Sequence, residues 1–285
     1  MGSIPTEWYR ERRKPIRLDT LVDLVENAVP VHPADVHLDD IIIAVTGPIG
    51  SGKTTFIQTV AGGDVEGLNI GHMLSAGTTE VAGVKIPIPG THSNLILVDT
   101  PGFDDNDMTD AEVLELVANW LEPIYRKKIL LTALVYLHRI TDVRYDASHK
   151  TSMKIFQKLT GPYAFDKIAL VTTMWNDLHQ EQMELGAYRE NYLKTEIWSP
   201  MINKGSMTAR FLMGNRETAV NVILDMIKKD DTKILLKLQH ELVNQKKMLP
   251  STSAGKVAFT FKQAMEWRIH QLKGLLDSSD SVNHR

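Results

Sequence analysis

The amino-acid sequence predicts an α/β fold with a doubly wound, mostly parallel sheet. Short apolar runs rich in β-branched residues alternate with amphipathic segments of helical spacing as far as residue 228. This alternation is typical of repeated strand–helix–strand units, and strands covered on both faces read as continuous apolar runs. A glycine-rich turn joins the first run to the helix that follows it. The predicted core strands are 39–47, 94–102, 130–140 and 167–175.

The other predicted elements of this region are less regular. Residues 84–88 are predicted to form an edge strand, because Pro87 lacks the N–H that a central strand needs. Residues 207–213 resemble a weaker strand. Thr109 is a suitable N-cap for the helix after it, because its hydroxyl can accept a hydrogen bond from the first turn. The predicted helices are 53–62, 109–125, 148–159, 178–197 and 217–227.

The chain divides into three predicted parts. Residues 1–38 form an N-terminal arm with a helix at 18–29, residues 39–228 form the α/β domain, and residues 229–285 form a wholly helical extension. We expect the extension to pack on the chain's own domain; a partner protein or a membrane surface is the alternative. Its two amphipathic segments are 232–248 and 252–276.

Composition narrows the functional classes. The net charge of -3 provides no overall basic field, so no nucleic-acid partner is expected. Cysteine is absent, which excludes disulfides, thiolate metal sites and thiol nucleophiles and fits a reducing compartment. The N-terminus is polar and basic rather than a secretory signal, and we predict a cytoplasmic protein. MGSIPT fits the loose myristoylation pattern, which fixes too few positions to predict that Gly2 is lipidated.

The strongest motif is GPIGSGKTT, residues 47–55, which matches the phosphate-binding P-loop G-x-x-x-x-G-K-[ST]. Glycines allow consecutive backbone N–H groups to surround an anion, and the following helix adds its positive end. Lys53 is predicted to reach the β- and γ-phosphates, and Thr54 to bind Mg²⁺. The predicted nucleotide contacts in this loop are Gly47, Ile49, Gly50, Ser51, Gly52, Lys53, Thr54 and Thr55.

A second motif, DTPG, ends the next predicted core strand. Asp99 is suited to hold the Mg²⁺ shell, and the N–H of Gly102 can approach a γ-phosphate and move away when that phosphate leaves. Between the two motifs, residues 75–81 contain two threonines that could close on Mg²⁺ when the γ-phosphate is present. We favour Thr78 over Thr79 for this role.

Together, GPIGSGKTTFI, GTTEV, LVDTPGFDD, VYLHRITDVR and LVTTMW resemble the septin-like P-loop GTPases, a group that includes septins, immunity-associated GTPases and chloroplast-import (Toc) GTPases. The sequence looks most similar to G-domain proteins that are abundant in mushroom-forming fungi. The resemblance covers about residues 40–228. It implies a G domain that switches between GTP and GDP with Mg²⁺ and that often forms a homodimer across the nucleotide face.

The base-reading motif departs from the pattern of this family. The family reads guanine with [NT]-K-x-D, whereas this chain has Thr173 in the first position and Asn176 in the place of the aspartate. A carboxylate accepts both donors of guanine, but an amide offers one acceptor and one donor. A shift of one residue would bring Asp177 into this role. ATP or ADP therefore stays open as the alternative to GTP or GDP.

Three further residues are predicted near the base. Met174 replaces the usual lysine and can lie flat on a purine, and Trp175 is either a neighbour of the base or a core residue. FLMGNRE resembles the corresponding loop of the immunity-associated GTPases, which makes Asn215 a candidate base contact.

Hydrolysis without help is predicted to be slow. Phe103 follows DTPG, where Ras-like switches place a glutamine that orients water. His138, Arg139 and Arg144 are the candidates for a group that assists hydrolysis, although His138 is expected to be structural. An arginine can neutralise charge on the transferred phosphoryl group from the same chain or from a second subunit. The alternative for both arginines is ion pairing with Asp142 and Asp146. The resemblance to Toc proteins places Arg144 near the arginine that crosses their dimer. The predicted catalytic set is Lys53, Thr78, Gly102 and Arg144; a nucleotide-stabilised interaction module without hydrolysis is the alternative.

Overall fold

A seven-stranded sheet forms the centre of the computed structural model. The structure describes residues 10–12, 28–65, 68, 80–89, 91–104, 107–229 and 232–282 of the 285-residue chain. The strands are β1 (Arg10–Arg12), β2 (Val29–Val31), β3 (Ile41–Thr46), β4 (Ala82–Pro87), β5 (Asn94–Asp99), β6 (Ala133–Arg139), β7 (Ile168–Thr173), β8 (Met207–Arg210) and β9 (Thr232–Ile234).

Helices cover both faces of this sheet. The helices are α1 (Lys53–Ala61), α2 (Asp110–Arg126), α3 (Ala147–Thr160), α4 (Met183–Tyr192), α5 (Ser199–Ile202), α6 (Arg216–Lys229), α7 (Lys237–Gln239), α8 (Gly255–Ala258) and α9 (Phe261–Val282). Thr109 caps α2 as predicted, accepting a hydrogen bond from the Glu112 N–H.

The sheet has the order β2-β4-β5-β3-β6-β7-β8, and β3 runs parallel to both β5 and β6. Strands β6, β7 and β8 continue the parallel part, while β4 is antiparallel to β5 and β2. The predicted α/β, mostly parallel fold is confirmed. The prediction that β4 is an edge strand is wrong, because β2 lies outside it. Pro87 is the last residue of β4, so its missing N–H does not interrupt the ladder.

Strand β3 divides the core into two layers. Ile42 and Ala44 face the layer that contains α2 and α3, whereas Ile41, Ile43 and Val45 face the layer that contains α1 and α6. Successive side chains of a strand point to opposite faces. Because both faces are covered by helices, every residue of β3 is buried, which explains its continuous apolar sequence.

The C-terminal region belongs to the same core. Leu236, Leu238 and Leu249 are buried in the layer with α2 and α3. The predicted helical C-terminal region is confirmed, but its first part differs from the prediction. There β9 pairs with β1, and the long helix predicted over 232–248 is replaced by α7 and a π-helical turn at 240–244. Residues 232–234 form a strand because their backbone pairs with Arg10–Arg12. A sequence pattern does not show such a distant partner.

The N-terminal arm is described only in part. The predicted helix at 18–29 lies almost wholly outside the described residues, and Val29 belongs to β2. Within the described part of the chain, no helix combines the length and the apolar character that a membrane span requires.

Candidate nucleotide site

The P-loop turns sharply between β3 and α1. Gly47, Gly50 and Gly52 have positive φ angles of 143°, 68° and 86°. A Cβ on Gly47 would lie 2.2 Å from the carbonyl oxygen of Leu137 in β6, a distance that only glycine allows. The loop is therefore seated directly on the C-terminal end of the parallel sheet, the edge where α/β proteins bind ligands.

The loop presents donors where an anion would sit. Gly52 is the N-cap of α1 and has no side chain to cap the first-turn amides, so these are available to a ligand. The Nζ of Lys53 is buried and donates to the carbonyls of Gly47 at 3.1 Å and Pro48 at 2.9 Å. The Ser51 hydroxyl is buried without a hydrogen-bond partner among the described residues. This donor set suits a polyphosphate.

The predicted metal ligands meet beside the loop. Thr54 Oγ1 donates a 2.6 Å hydrogen bond to Asp99 Oδ2, and Asp99 is fully buried at the end of β5. Parallel pairing of β3 with β5 brings the two motifs together across 45 residues of sequence. A hydroxyl and a carboxylate are hard oxygen donors of the kind Mg²⁺ prefers, so this pair fits the cation. Thr78 and Thr79 lie outside the described residues.

DTPG closes one side of the P-loop. A Cβ on Gly102 would lie 2.5 Å from the backbone nitrogen of Ile49, so only glycine allows this approach. Phe103 is 1% exposed and forms a parallel backbone bridge with Pro48. Its ring belongs to the core and offers no polar group to water.

On the opposite side, the end of β7 is tied to the P-loop. Thr173 is buried, and its Oγ1 donates to the Ser51 carbonyl at 2.9 Å. Met174 follows in the left-handed region at φ 60°, and its Cε would lie 3.5 Å from a Cβ on Gly52. The segment predicted to read the base therefore begins next to the loop predicted to hold the phosphates.

The structure places Trp175 in the core. Its ring is 4% exposed, and its Nε1 donates to Thr172 Oγ1 at 2.9 Å. The guanidinium carbon of Arg210 lies 3.9 Å from the centroid of this ring. Glu190 holds that arginine, accepting from its Nε at 3.0 Å. The position of Trp175 thus agrees with the alternative that it is a core residue. Its ring packs beneath the turn at Asn176 and Asp177.

Three polar candidates for the base remain exposed. Asn176 and Asp177 occupy a 3₁₀ turn after Met174, and neither side chain has a hydrogen-bond partner among the described residues. Asn215 is exposed in the next loop, where its Oδ1 accepts from the Thr218 N–H at 3.4 Å at the start of α6.

Comparison with known proteins identifies the fold. No family model matches the chain, and no curated protein is similar to it. The structure of Toc33 from Arabidopsis thaliana with GDP and Mg²⁺ is similar at TM-score 0.55 and 15% identity, covering 69% of this chain and 88% of that chain. A dimerisation-deficient mutant of Toc33 gives TM-score 0.56 at 15% identity, with the same 69% and 88% coverage.

The fold is that of a G domain. At such low identity the comparison establishes the fold alone. The similarity to fungal G-domain proteins receives no support from these comparisons.

The G domain carries a second polar group between β6 and α3. His138 is 3% exposed and lies among the rings of Tyr145, His149 and Trp198. Burial lowers the pKa of His138 to about 4, so its ring is neutral at physiological pH. Arg144 is exposed at the same end of the sheet.

His149 is held between two carboxylates. Its Nε2 lies 3.2 Å from Asp142 Oδ2 and its Nδ1 lies 2.8 Å from Asp146 Oδ1. The hydrogen bond to Asp142 and then that to Asp146 raise the pKa of His149 to about 9. Burial alone would raise the pKa of Asp142, but bonding to His149 and the charge of Arg139 outweigh burial and lower it.

Donor atoms of His138, Asp142 and His149 lie within 4.8 Å of one another, close enough to be considered as a metal site. However, Asp142 already bonds the protonated His149 and pairs with Arg139, whose Nε is 3.0 Å away. Two cations on one carboxylate oppose a third. We therefore interpret the group as an ion-pair network.

A pH dependence follows from His149. Its unfolded pKa is about 6.5, and the native value is about 9. The stabilisation from this residue is complete below pH ~6.5 and is lost as pH rises through the native pKa. Thermal melts of wild type and His149→Gln should differ most in mildly acidic buffer, at or below pH ~6.5, and converge in alkaline buffer, whereas the exposed His270→Gln should show no such trend. A gap that stays constant into alkaline pH would contradict this assignment.

Other groups facing His149 do not alter this sign. His138 titrates well below the relevant range, burial raises the pKa of Tyr145 far above it, and Asp142 and Asp146 stay ionised.

Arg139, one of the arginines that the sequence offers as a candidate, ends β6 next to the P-loop. A Cβ on Gly50 would be 3.0 Å from its Nη1, so the guanidinium lies directly against the P-loop. The spacing of Arg139 and Asp142 allowed an ion pair, but only the parallel pairing of β3 with β6 brings this arginine to the P-loop.

Proposed function

We propose that this chain is a Mg²⁺-dependent switch protein that binds GTP and hydrolyses it to GDP. The observation that carries the proposal is the 2.6 Å contact of Thr54 with Asp99, directly beside a P-loop that contains a buried lysine. One place in the G domain thus offers donors to a polyphosphate and hard oxygens to a divalent cation.

The P-loop residues bind the triphosphate. Backbone N–H groups from Gly50 to Thr54 surround the β- and γ-phosphates, and Lys53 exchanges its loop carbonyls for phosphate oxygens. Thr54, Asp99 and Thr78 hold Mg²⁺, which supplies neutralising charge to the phosphates when it is bound. Because Lys53 and Asp99 are already buried in position, little side-chain ordering is left to the binding step.

Gly102 reports the state of the nucleotide. Its close approach to Ile49 places its backbone next to the phosphate loop. Its N–H donates a hydrogen bond to a γ-phosphate and loses this partner when that phosphate leaves. The segment after DTPG moves as a result. The loop at 62–80 responds in the same way through Thr78.

Hydrolysis is slow in the isolated chain and is assisted by a homodimer or another partner. Phe103 is buried, so it cannot orient water. Arg144 is exposed and free to reach a neighbouring nucleotide. Dimerisation is important for the GTPase activity of the chloroplast translocon components atToc33 and psToc159, which share this fold at TM-score 0.53 and 16% identity, covering 66% of this chain and 83% of that chain.

Guanine is the preferred base, and Asp177 is its main reader. Asp177 is exposed with an unengaged carboxylate, directly after the turn at Met174. ATP is the second candidate, because Asn176 occupies the usual position of the aspartate and an amide cannot accept both donors of guanine.

Asp177→Asn should weaken GTP binding by roughly 100-fold, because the charged acceptor of two hydrogen bonds is lost. It should also improve XTP binding, since the new NH₂ group can donate to the extra carbonyl of xanthine. Displacement of a fluorescent nucleotide measures both affinities. If Asn176 faces the base instead, Asn176→Asp strengthens GTP binding and Asp177→Asn leaves it unchanged, which would contradict the role of Asp177.

Two measurements test the function as a whole. Thermal shifts with GTP, GDP, ATP and XTP, each with Mg²⁺ or with EDTA, identify the base and the need for the cation. Phosphate release at several protein concentrations separates the mechanisms: a dimer-assisted GTPase shows a rate per molecule that grows with concentration. Stabilisation by nucleotide without phosphate release would instead indicate a non-hydrolysing interaction module.

A further inference from the structure

Arg139 is placed to act on the phosphates of its own chain. It ends β6, the strand adjacent to β3, whose end leads into the P-loop. Its Nη1 would lie 3.0 Å from a Cβ on Gly50, while 33% of its side chain is exposed. The guanidinium therefore lies against the P-loop and is partly open to solvent.

A chain of charged residues holds this arginine. Its Nε lies 3.0 Å from Asp142 Oδ1, and the other oxygen of Asp142 bonds His149 at 3.2 Å. Asp146 fixes His149 from the other side, and it also accepts from the backbone N–H groups of Ser148 and His149 at the start of α3. Asp142 thus links the Nε side of the arginine to His149 in α3, while Nη1 faces Gly50 of the P-loop.

The same network continues to the segment after DTPG. Ser148 Oγ lies 2.8 Å from Asp104 Oδ2 and 2.7 Å from Asp146 Oδ1, so its single proton is shared between these two acceptors. Asp104 lies two residues after Gly102 and has a positive φ of 68°, which is uncommon for a residue other than glycine. Polar contacts therefore link the arginine at the P-loop with the segment that senses the γ-phosphate.

From this geometry we infer that Arg139 is a catalytic residue that contacts the nucleotide phosphates within its own chain, and that Asp142 and His149 are its positioning residues. The inference rests on the proposed function and deepens it. It differs from the role of Arg144, which acts across a dimer. A cation supplied by the same chain works in the monomer, as the arginines of some G proteins do.

The chemistry requires charge neutralisation at the phosphates. The oxygen of water forms a bond to the γ-phosphorus, and the bond between that phosphorus and the β–γ bridging oxygen breaks. The electron pair stays on the β-phosphate of GDP, and both protons of water leave with inorganic phosphate. Negative charge grows on the bridging and β-oxygens, and a guanidinium near Gly50 stabilises it there.

Single-turnover phosphate release from the full chain with Mg²⁺-GTP tests the role of Arg139. We expect Arg139→Ala to lower the rate constant on the order of a hundredfold or more, at every protein concentration, with the Kd for a non-hydrolysable GTP analogue nearly unchanged. Arg144→Ala should remove only the part of the rate that grows with concentration. Arg126→Ala, which removes an exposed cation paired with Glu122 on α2, should leave rate and Kd unchanged.

The positioning residues have their own readout. Asp142→Asn should lower kcat per folded molecule, counted by titration of bound nucleotide, and leave KM nearly unchanged, and Asp142→Glu should recover part of the rate. A purely structural role would instead reduce the folded fraction and leave the rate per folded molecule unchanged.

Three outcomes would overturn the inference. An unchanged single-turnover rate for Arg139→Ala excludes a catalytic role, and a loss confined to nucleotide affinity shows ground-state binding only. Recovery of activity on mixing Arg139→Ala with Lys53→Ala chains shows that the arginine acts across two chains. If wild type neither binds GTP nor releases phosphate, the proposed function fails, and this result differs from all three.

Discussion

Lys53→Ala is expected to abolish useful binding of nucleoside triphosphate, weakening it by roughly 100-fold or more, since each lost charge-assisted hydrogen bond is worth about 1.5–3 kcal/mol. Lys53 is the buried cation of the P-loop, and its Nζ lies within 3.1 Å of two loop carbonyls that mark the edge of the phosphate position. No other side chain of the P-loop carries a positive charge.

Isothermal titration calorimetry with a non-hydrolysable GTP analogue measures this effect. Lys150→Ala is the matched control, because Lys150 is an exposed lysine on α3 and its loss removes the same charge from the protein. Circular dichroism melts without nucleotide establish that both variants are folded. Equal heats of binding for wild type and Lys53→Ala would refute the P-loop assignment and with it the proposed function.

Leu238→Ala is expected to lower the free energy of unfolding by about 2–5 kcal/mol, as large-to-small changes in packed cores do. Leu238 lies on α7, is 0% exposed and belongs to the core layer of α2 and α3. Its neighbour Gln239 donates to the Leu121 carbonyl of α2 at 3.3 Å. The side chain removed is thus part of the G-domain core, in agreement with the expectation that the C-terminal extension packs on the chain's own domain.

Urea denaturation provides the measurement, with Leu272→Ala as the matched control. Leu272 lies on α9 and is 61% exposed, so its replacement should change the free energy of unfolding by less than about 0.5 kcal/mol. The dependence of unfolding on urea should stay the same in both variants, because each unfolds the same surface. Equal and small effects in the two variants would mean that the C-terminal region folds apart from the G domain.

The parts of the fold that the sequence predicted best are those with local signals. The core strand predicted at 39–47 is Ile41–Thr46, and that predicted at 94–102 is Asn94–Asp99. Burial on both faces requires apolar residues at every position of such strands, so their composition reveals them. The glycines of the P-loop are similarly visible, because left-handed backbone and close approach exclude most other residues.

Misjudged features depend on distant partners. Pro87 suggested an edge strand, but the last position of β4 tolerates it next to Asn94. Residues 232–234 begin a segment with helical spacing, yet their backbone pairs with Arg10–Arg12 near the N-terminus. For Trp175 the sequence left two possibilities, a neighbour of the base or a core residue, and its contacts with Arg210 and Thr172 show that the ring is buried. The pattern of a single sequence shows which secondary structures a segment favours. It does not show the neighbouring segment whose contacts determine which of them forms.

By itself the sequence determined the class of fold, the phosphate loop and its pairing with DTPG, because strand burial, glycine turns and charged ligands each leave a local pattern. Only the tertiary structure decided that the C-terminal region completes the core and that Arg139 lies against Gly50. Both depend on contacts between segments far apart in the chain, which form through the order of strands in the sheet and through helix packing rather than through any one segment's composition.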